Sequence, residues 1–184
     1  MRLFIGLVHY PVYNKNYQRI ASAITTIDLH DIARLARTYD VKKFFVITPL
    51  DDQKLMAERI RKHWTEGYGA TYNRHRKEAV ELLDIVSSLD QALDAVTEME
   101  GEAPLLITTD AARQKRRPIS YEKARGLIND EKVVILIFGT AWGLDKAVMK
   151  QADYTLEPIS GRNGYNHLSV RTAAAIILDR LASI

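Results

Sequence analysis

The chain has 184 residues, of which 47% are hydrophobic and 27% charged, so it can build a packed core and is not a disordered polymer. It contains no cysteine. Disulfides, thiolate metal sites and cysteine nucleophiles are excluded together, and a reducing compartment is the simple reading. The net charge of +3 is unevenly spread: residues 81–104 hold seven acidic and no basic groups, while residues 1–80 hold 14 Lys/Arg against 8 Asp/Glu. The densest basic run, Arg113-Gln114-Lys115-Arg116-Arg117, suits a polyanion such as RNA and equally suits a solvated loop. No stretch approaches the roughly 18 apolar residues of a membrane span. The opening MRLFIGLVHYP lacks a signal-peptide pattern. A cytoplasmic protein with no membrane contact is expected.

In chain order, RLFIGLVH (2–9) reads as a buried strand. Over 26–39, Ile27, Ile32, Leu35 and Ala36 fall near helical spacing, with Thr25 or Thr26 as N-cap. KKFFVITP (42–49) is a second strand, stopped by Pro49, and Asp51 and Asp52 open a helix to about Trp64. Residues 65–75 read as a loop, followed by a short helix from about Arg76 to Leu83 and a weak strand near Ile85-Val86. The acidic stretch Leu89–Met99 is helical, with Leu93 and Val96 on one face. APLLITT (103–109) and KVVILIF (132–138) are strands with little alternation, as expected when both sheet faces are covered. Helices follow at about 120–129 and 143–150, then a short strand at 153–158 and an apolar helix at 168–183.

This alternation predicts one α/β domain, residues 1–184, with helices on both faces of a parallel sheet. Ligands in such sheets bind at the carboxyl ends of strands, which directs attention to the loops after residues 109, 138 and 158. Dinucleotide, P-loop and nucleophile-elbow motifs are absent. The histidines at 9, 30, 63, 75 and 167 show no metal-ligand pattern, so no metal site is expected. Glycine at strand ends remains: Gly139 and Gly143 flank a turn, and residues 157–167 form a polar loop that runs into a long helix.

Four segments carry a resemblance along the whole chain. They are His9-Tyr10-Pro11-Val12-Tyr13-Asn14-Lys15, Asp28 to Tyr39 (DLHDIARLARTY), Phe138-Gly139-Thr140-Ala141-Trp142-Gly143-Leu144, and Tyr165-Asn166-His167-Leu168-Ser169-Val170-Arg171. In these the sequence resembles the SPOUT superfamily of RNA methyltransferases, most closely a small bacterial branch of predicted SAM-dependent RNA methyltransferases. The resemblance implies a Rossmann-like, mostly parallel six-stranded sheet with a C-terminal trefoil knot. It implies S-adenosyl-L-methionine as cofactor, tRNA or rRNA as substrate, and a homodimer.

Carried over residue by residue, three loops would hold the cofactor. They are Thr108, Thr109 and Asp110; then Phe138, Gly139, Thr140, Gly143 and Leu144; then Pro158 and Ile159 with His167, Leu168, Ser169 and Val170. Arg37-Thr38 matches the Arg-Thr pair of the ribose 2′-O-methylating branch, with Asp31 at the position of its Asn. Ala141 stands where that branch has an acidic residue, Ser169 where it has Asn, and Arg171 where Ser is common.

Methyl transfer is an in-line displacement, so alignment is the main task. A guanidinium with a pKa above about 12 does not act as a base, so Arg37 is expected to clamp phosphate or ribose. His167, Asp31 and the cofactor's own carboxylate are the proton acceptors. Whether the acceptor is a ribose 2′-O or a base atom stays open. So does a second function, a catalytically silent RNA-binding or ribosome-assembly module retaining the fold, for which Ala141 speaks. The helix 168–183 has too many apolar groups for one stripe, so burial on more than one side is expected. The resemblance implies that the second side is a dimer interface with helix 26–39 and that Arg37 acts in the partner's site.

Overall fold

The computed structural model describes residues 1–184. In chain order the elements are β1 (Leu3–Val8), β2 (Val12–Tyr13), β3 (Arg19–Ile20), α1 (Thr26–Thr38), β4 (Phe44–Ile47), α2 (Asp51–Thr65), α3 (Tyr68–Tyr72), α4 (Arg74–Val80), β5 (Leu83–Val86), α5 (Leu89–Glu100), β6 (Leu105–Thr108), β7 (Pro118–Ile119), α6 (Tyr121–Asn129), β8 (Val134–Gly139), α7 (Lys146–Gln151), β9 (Tyr154–Leu156) and α8 (Val170–Ala182). The main sheet has the order β5-β4-β1-β8-β6-β9-β7. Every neighbouring pair in it is parallel.

The continuous apolar runs explain this sheet. In β1, Leu3, Ile5 and Leu7 face one core cluster, which α1, α4, α6 and α8 cover. Phe4 and Val8 face the other, which α5 and α7 close. A strand buried on both faces needs no polar alternation.

Side-chain caps set most helix starts. The Asp28 amide donates to Thr25 Oγ1 at 3.2 Å, which selects Thr25 as the N-cap of α1. Asn73, Ser88, Ser120 and Ser169 do the same for α4, α5, α6 and α8.

Four features depart from the sequence reading. The sheet has seven strands rather than six, because Pro118–Ile119 adds to β9 at the edge. Residues 65–75 are not one loop, since α3 folds within them. A two-stranded hairpin, β2–β3, precedes α1. And α7 starts at Lys146, not 143, because Gly143 is left-handed (φ +99°) and Asp145 caps the helix.

Helices α1 and α8 lie side by side and run the same way. At their starts, Arg171 donates to Asp28 at 2.6 Å; at their ends, the Tyr39 hydroxyl donates to Asp179 at 3.1 Å. Both helices therefore begin at the carboxyl edge of the sheet and point away from it.

Leu136 lies fully buried in the central strand β8. Leu136→Ala should cost about 2–5 kcal/mol of stability, read as a lower urea midpoint at unchanged slope. A loss below about 1 kcal/mol would contradict this packing.

Candidate functional site

Parallel strands end at one edge, so the segments after β1, β6, β8 and β9 meet there. Side-chain bonds tie them together. At the end of β1, His9 is fully buried, and its Nδ1 lies 3.1 Å from Ser22 Oγ. Ser22 in turn bonds Thr140, and the Thr140 hydroxyl donates to the Val8 carbonyl at 3.0 Å. Asn166, in the loop after β9, donates to the Ala111 carbonyl, in the loop after β6, at 2.7 Å. Thr108 and Thr155 join β6 to β9 through their hydroxyls at 3.2 Å.

The turn after β8 is the tightest part. A Cβ on Gly139 would stand 2.9 Å from both the amide nitrogen and Cγ of Leu144, so only glycine lets the chain return this closely. Ala141 and Gly143 both take positive φ, +51° and +99°. The hairpin β2–β3 holds the turn from outside. The Tyr13 amide donates to the Gly143 carbonyl and the Trp142 amide to the Tyr13 carbonyl, at 3.0 and 2.9 Å, and Val12 pairs with Leu144. Arg19 then grips Asp145 with two bonds of 2.9 and 3.1 Å. Burial works against the Asp145 charge, but the Arg19 bonds and the Ala147 amide outweigh it and hold its carboxyl below the usual range.

The expected cofactor residues all fall at this edge. Phe138 and Leu144 are buried and pack in the core, so only their backbones face the loops. Thr109 Oγ1 donates to the Ile137 carbonyl at 3.0 Å, and Asp110 accepts from the Ala112 amide and from Gln114. Ile159 and Val170 pack against the core, while His167, Leu168 and Ser169 are exposed. A cavity of about 230 Å³ opens between Gln114, Ile119, Leu156 and Pro158. A larger one, about 390 Å³, lies at the opposite edge between Leu105 and Asp153, away from these loops.

The three expected catalytic residues do not meet within one chain. Asp31 lies 3.4 Å from Arg171, which also holds Asp28. His167 sits in the exposed loop, its ring 5.4 Å from that of Tyr165. Arg37 occupies the last turn of α1, roughly 18 Å along the helix from its cap, and lies 3.8 Å from Glu78. The Arg113–Arg117 run is solvent-exposed apart from Gln114, and Arg117 donates to the Ala152 carbonyl. The sequence singled out the segment from His9 to Lys15 but not the buried bond from His9 to Ser22, and it missed Ser22, Arg19 and Asp145. The last two are 126 positions apart and carry no local signal.

A family profile described as SAM-dependent RNA methyltransferase matches residues 2–183. The chain belongs to that family.

The chain is 40% identical over 179 residues to a protein of Oleidesulfovibrio alaskensis named tRNA (guanine-N(1)-)-methyltransferase. That match covers 97% of this chain but 41% of the relative, so the chain spans well under half the length of that protein. It is also 40% identical over 182 residues to an uncharacterized protein of Aquifex aeolicus, covering 98% of this chain and 88% of that one. Among solved structures, it shares its fold with TrmJ from Z. mobilis (TM-score 0.65, 11% identity, 100% of this chain and 69% of that chain). It shares it also with the SpoU methyltransferase AviRb from Streptomyces viridochromogenes in complex with AdoMet (TM-score 0.58, 16% identity, 98% and 58%).

The loop chemistry fits S-adenosylmethionine. That cofactor carries a sulfonium cation and no phosphate. The residues 108–110, 138–144, 158–159 and 167–170 contain no Lys or Arg and offer backbone amides and carbonyls, while the hydroxyls of Thr108, Thr109, Thr140 and Ser169 are bonded within the chain. No three His, Asp or Glu side chains converge in the chain as a metal site would require.

Burial pushes the His9 imidazole down to about 4, against a weaker pull upward from Asp28. The unfolded chain therefore binds this proton more tightly, and the native state loses stability as pH falls from about 6.5 towards 4. Between pH 6.5 and 5 the loss from this one group should be on the order of 1–2 kcal/mol. His9→Asn should show a shallower fall in melting temperature over that range than the wild type. An identical pH profile in the two proteins would contradict a buried neutral His9.

Proposed function

We propose that the methyltransferase transfers a methyl group to a nucleotide of a structured RNA, with S-adenosylmethionine held in the three loops at the carboxyl edge. The observation that carries this reading is the convergence of those loops, fastened by Asn166 to Ala111 and folded back by Leu144 onto Gly139. When bound, the cofactor supplies an electrophilic methyl group. The protein's residues orient the acceptor, exclude water and hold the proton it loses.

The whole of residues 1–184 is read as one domain, knotted at its end. Strand β9 inserts between β6 and β7, and the segment joining those two strands is the one Asn166 holds. That arrangement supports a chain threaded under 109–117. The tRNA in the relative's name makes tRNA the first substrate to test, with rRNA second. Most of that relative has no counterpart here, so its guanine-N1 chemistry is not transferred to this chain.

We propose a homodimer built on α1 and α8. The core stripe of α8 takes Ala174, Ile177, Leu178 and Leu181, leaving Val170, Ala173, Ile176 and Ala182 only partly covered. Ile27 at the start of α1 is 58% exposed. Such a two-sided helix is suited to burial against a second chain. Arg37 reaches a cofactor pocket only across that interface, because it lies at the far end of α1 from its own loops. In that setting Arg37 steadies phosphate or ribose, and His167 is the nearest proton acceptor on the loop itself. Asp31, engaged by Arg171, ties α1 to α8.

Two experiments test this reading. Titration calorimetry should detect S-adenosylhomocysteine binding to the wild type, and Gly139→Val should weaken it at least tenfold while keeping a folded dimer. Equal binding by the variant would remove the pocket from this turn. Radiolabelled methyl groups should also pass from S-adenosylmethionine to unmodified tRNA or rRNA. An Arg37→Ala protein and a Gly139→Val protein, each inactive alone, should recover up to one working site per heterodimer after subunit exchange. Proven heterodimers without activity would contradict a shared site.

A further inference from the structure

Away from the cofactor loops, residues 61–77 concentrate five Lys/Arg, two His, one Trp and two Tyr against a single acidic group, Glu66. The structure arranges them as a rigid support with two aromatic rings on top. Trp64, at the end of α2, meets the rings of His30 and His63 edge-on at 5.5 and 5.0 Å, and the Arg76 guanidinium lies 4.5 Å over it. The backbone of α3 rests directly on this tryptophan. A Cβ on Gly69 would fall 2.6 Å from Trp64 Cε3, so glycine is what allows the close contact. Pinned this way, α3 turns Tyr68 and Tyr72 outward, 75% and 73% exposed, with ring centres 5.8 Å apart and planes 25° from parallel. Residues spaced i, i+4 share a helix face, and here that face is bare aromatic surface.

The rings are not part of any core, and the charge around them identifies what they suit. Glu58, Glu78 and Glu81 pair with Arg61, Arg74 and Lys77. Lys62 and Arg76 have no carboxylate within 4 Å, and Arg74 is 88% exposed despite its partner. Exposed pairs of this kind hold their cations weakly, so a phosphate can recruit them. Helix α4 runs along α1, where exposed Arg34 extends the basic surface. Paired exposed aromatics ringed by cations match single-stranded RNA, whose unpaired bases stack on rings and whose phosphates bind Lys and Arg. A duplex keeps its base faces covered and cannot use the rings.

We propose that α3, with the adjoining ends of α2 and α4, is a docking platform for an unpaired stretch of substrate RNA: one or two bases stack on Tyr68 and Tyr72, and the neighbouring phosphates lie on Lys62 and Arg74. This platform rests on the RNA-methyltransferase reading and lies apart from the cofactor loops.

The test uses fluorescence anisotropy with a fluorescein-labelled, non-pairing twelve-nucleotide RNA and a twelve-base-pair RNA duplex. Tyr68→Ala/Tyr72→Ala should bind the single strand about fivefold to a hundredfold more weakly per stacked base, with an unchanged salt slope. Tyr68→Phe/Tyr72→Phe should bind like the wild type, because the π-faces remain. Lys62→Ala should lower the salt slope by about one unit. S-adenosylhomocysteine binding and melting temperature serve as controls and should be unchanged in all three. A wild type that binds S-adenosylhomocysteine and the single strand, beside an alanine pair that binds both equally well, would overturn the platform alone. A wild type that binds neither RNA would overturn the platform and the RNA reading together. If the alanine pair altered sedimentation but not RNA affinity, the rings would belong to a protein contact and the proposal would fall.

Discussion

The carboxyl edge of the sheet depends on how closely Leu144 folds back against Gly139. A side chain at 139 would meet the Leu144 amide at 2.9 Å, so the turn exists only because β8 ends on a bare Cα. Once formed, it directs Thr140 towards Ser22 and His9, presents Gly143 to the hairpin, and delivers Asp145 to Arg19. One tight return thus orders three separate segments. The buried Asp145 charge is tolerated because two guanidinium bonds and a helix amide satisfy it.

The second organising contact is between α1 and α8. Arg171 bridges Asp28 and Asp31 at the carboxyl edge of the sheet, and Tyr39 reaches Asp179 at the far end. The two helices are thereby tied at both ends, and both start beside the loops of the carboxyl edge. This is why assembly and catalysis are linked in the proposed mechanism.

Much of this was legible in the sequence, and the exceptions share a physical cause. Flat apolar runs such as Val134–Phe138 announce a doubly covered parallel strand, and Thr25 announces a helix start. Strands β2, β3 and β7 are two residues long and too short for periodicity. They exist because Leu144, Asp145 and β9 meet them in space. Helix α3 was hidden because Gly67 and Gly69 read as loop residues, whereas Gly69 lets the backbone rest on Trp64. Glycines at 139 and 143 marked the turn correctly. The buried His9–Ser22–Thr140 chain was invisible, since a histidine at a strand end gives no hint of who will cover it. Arg37 shows the opposite failure: its motif was readable, but its distance from its own loops emerges only once α1 is oriented.

Hydrogen exchange with and without S-adenosylhomocysteine tests the loop site most directly, because it reports every amide at once. Protection concentrated in residues 109–117, 140–145 and 157–169, with α2 to α5 unchanged, is the expected result. Protection centred on any other edge of the sheet, or none at saturating ligand, would contradict a cofactor site built on the Gly139 turn.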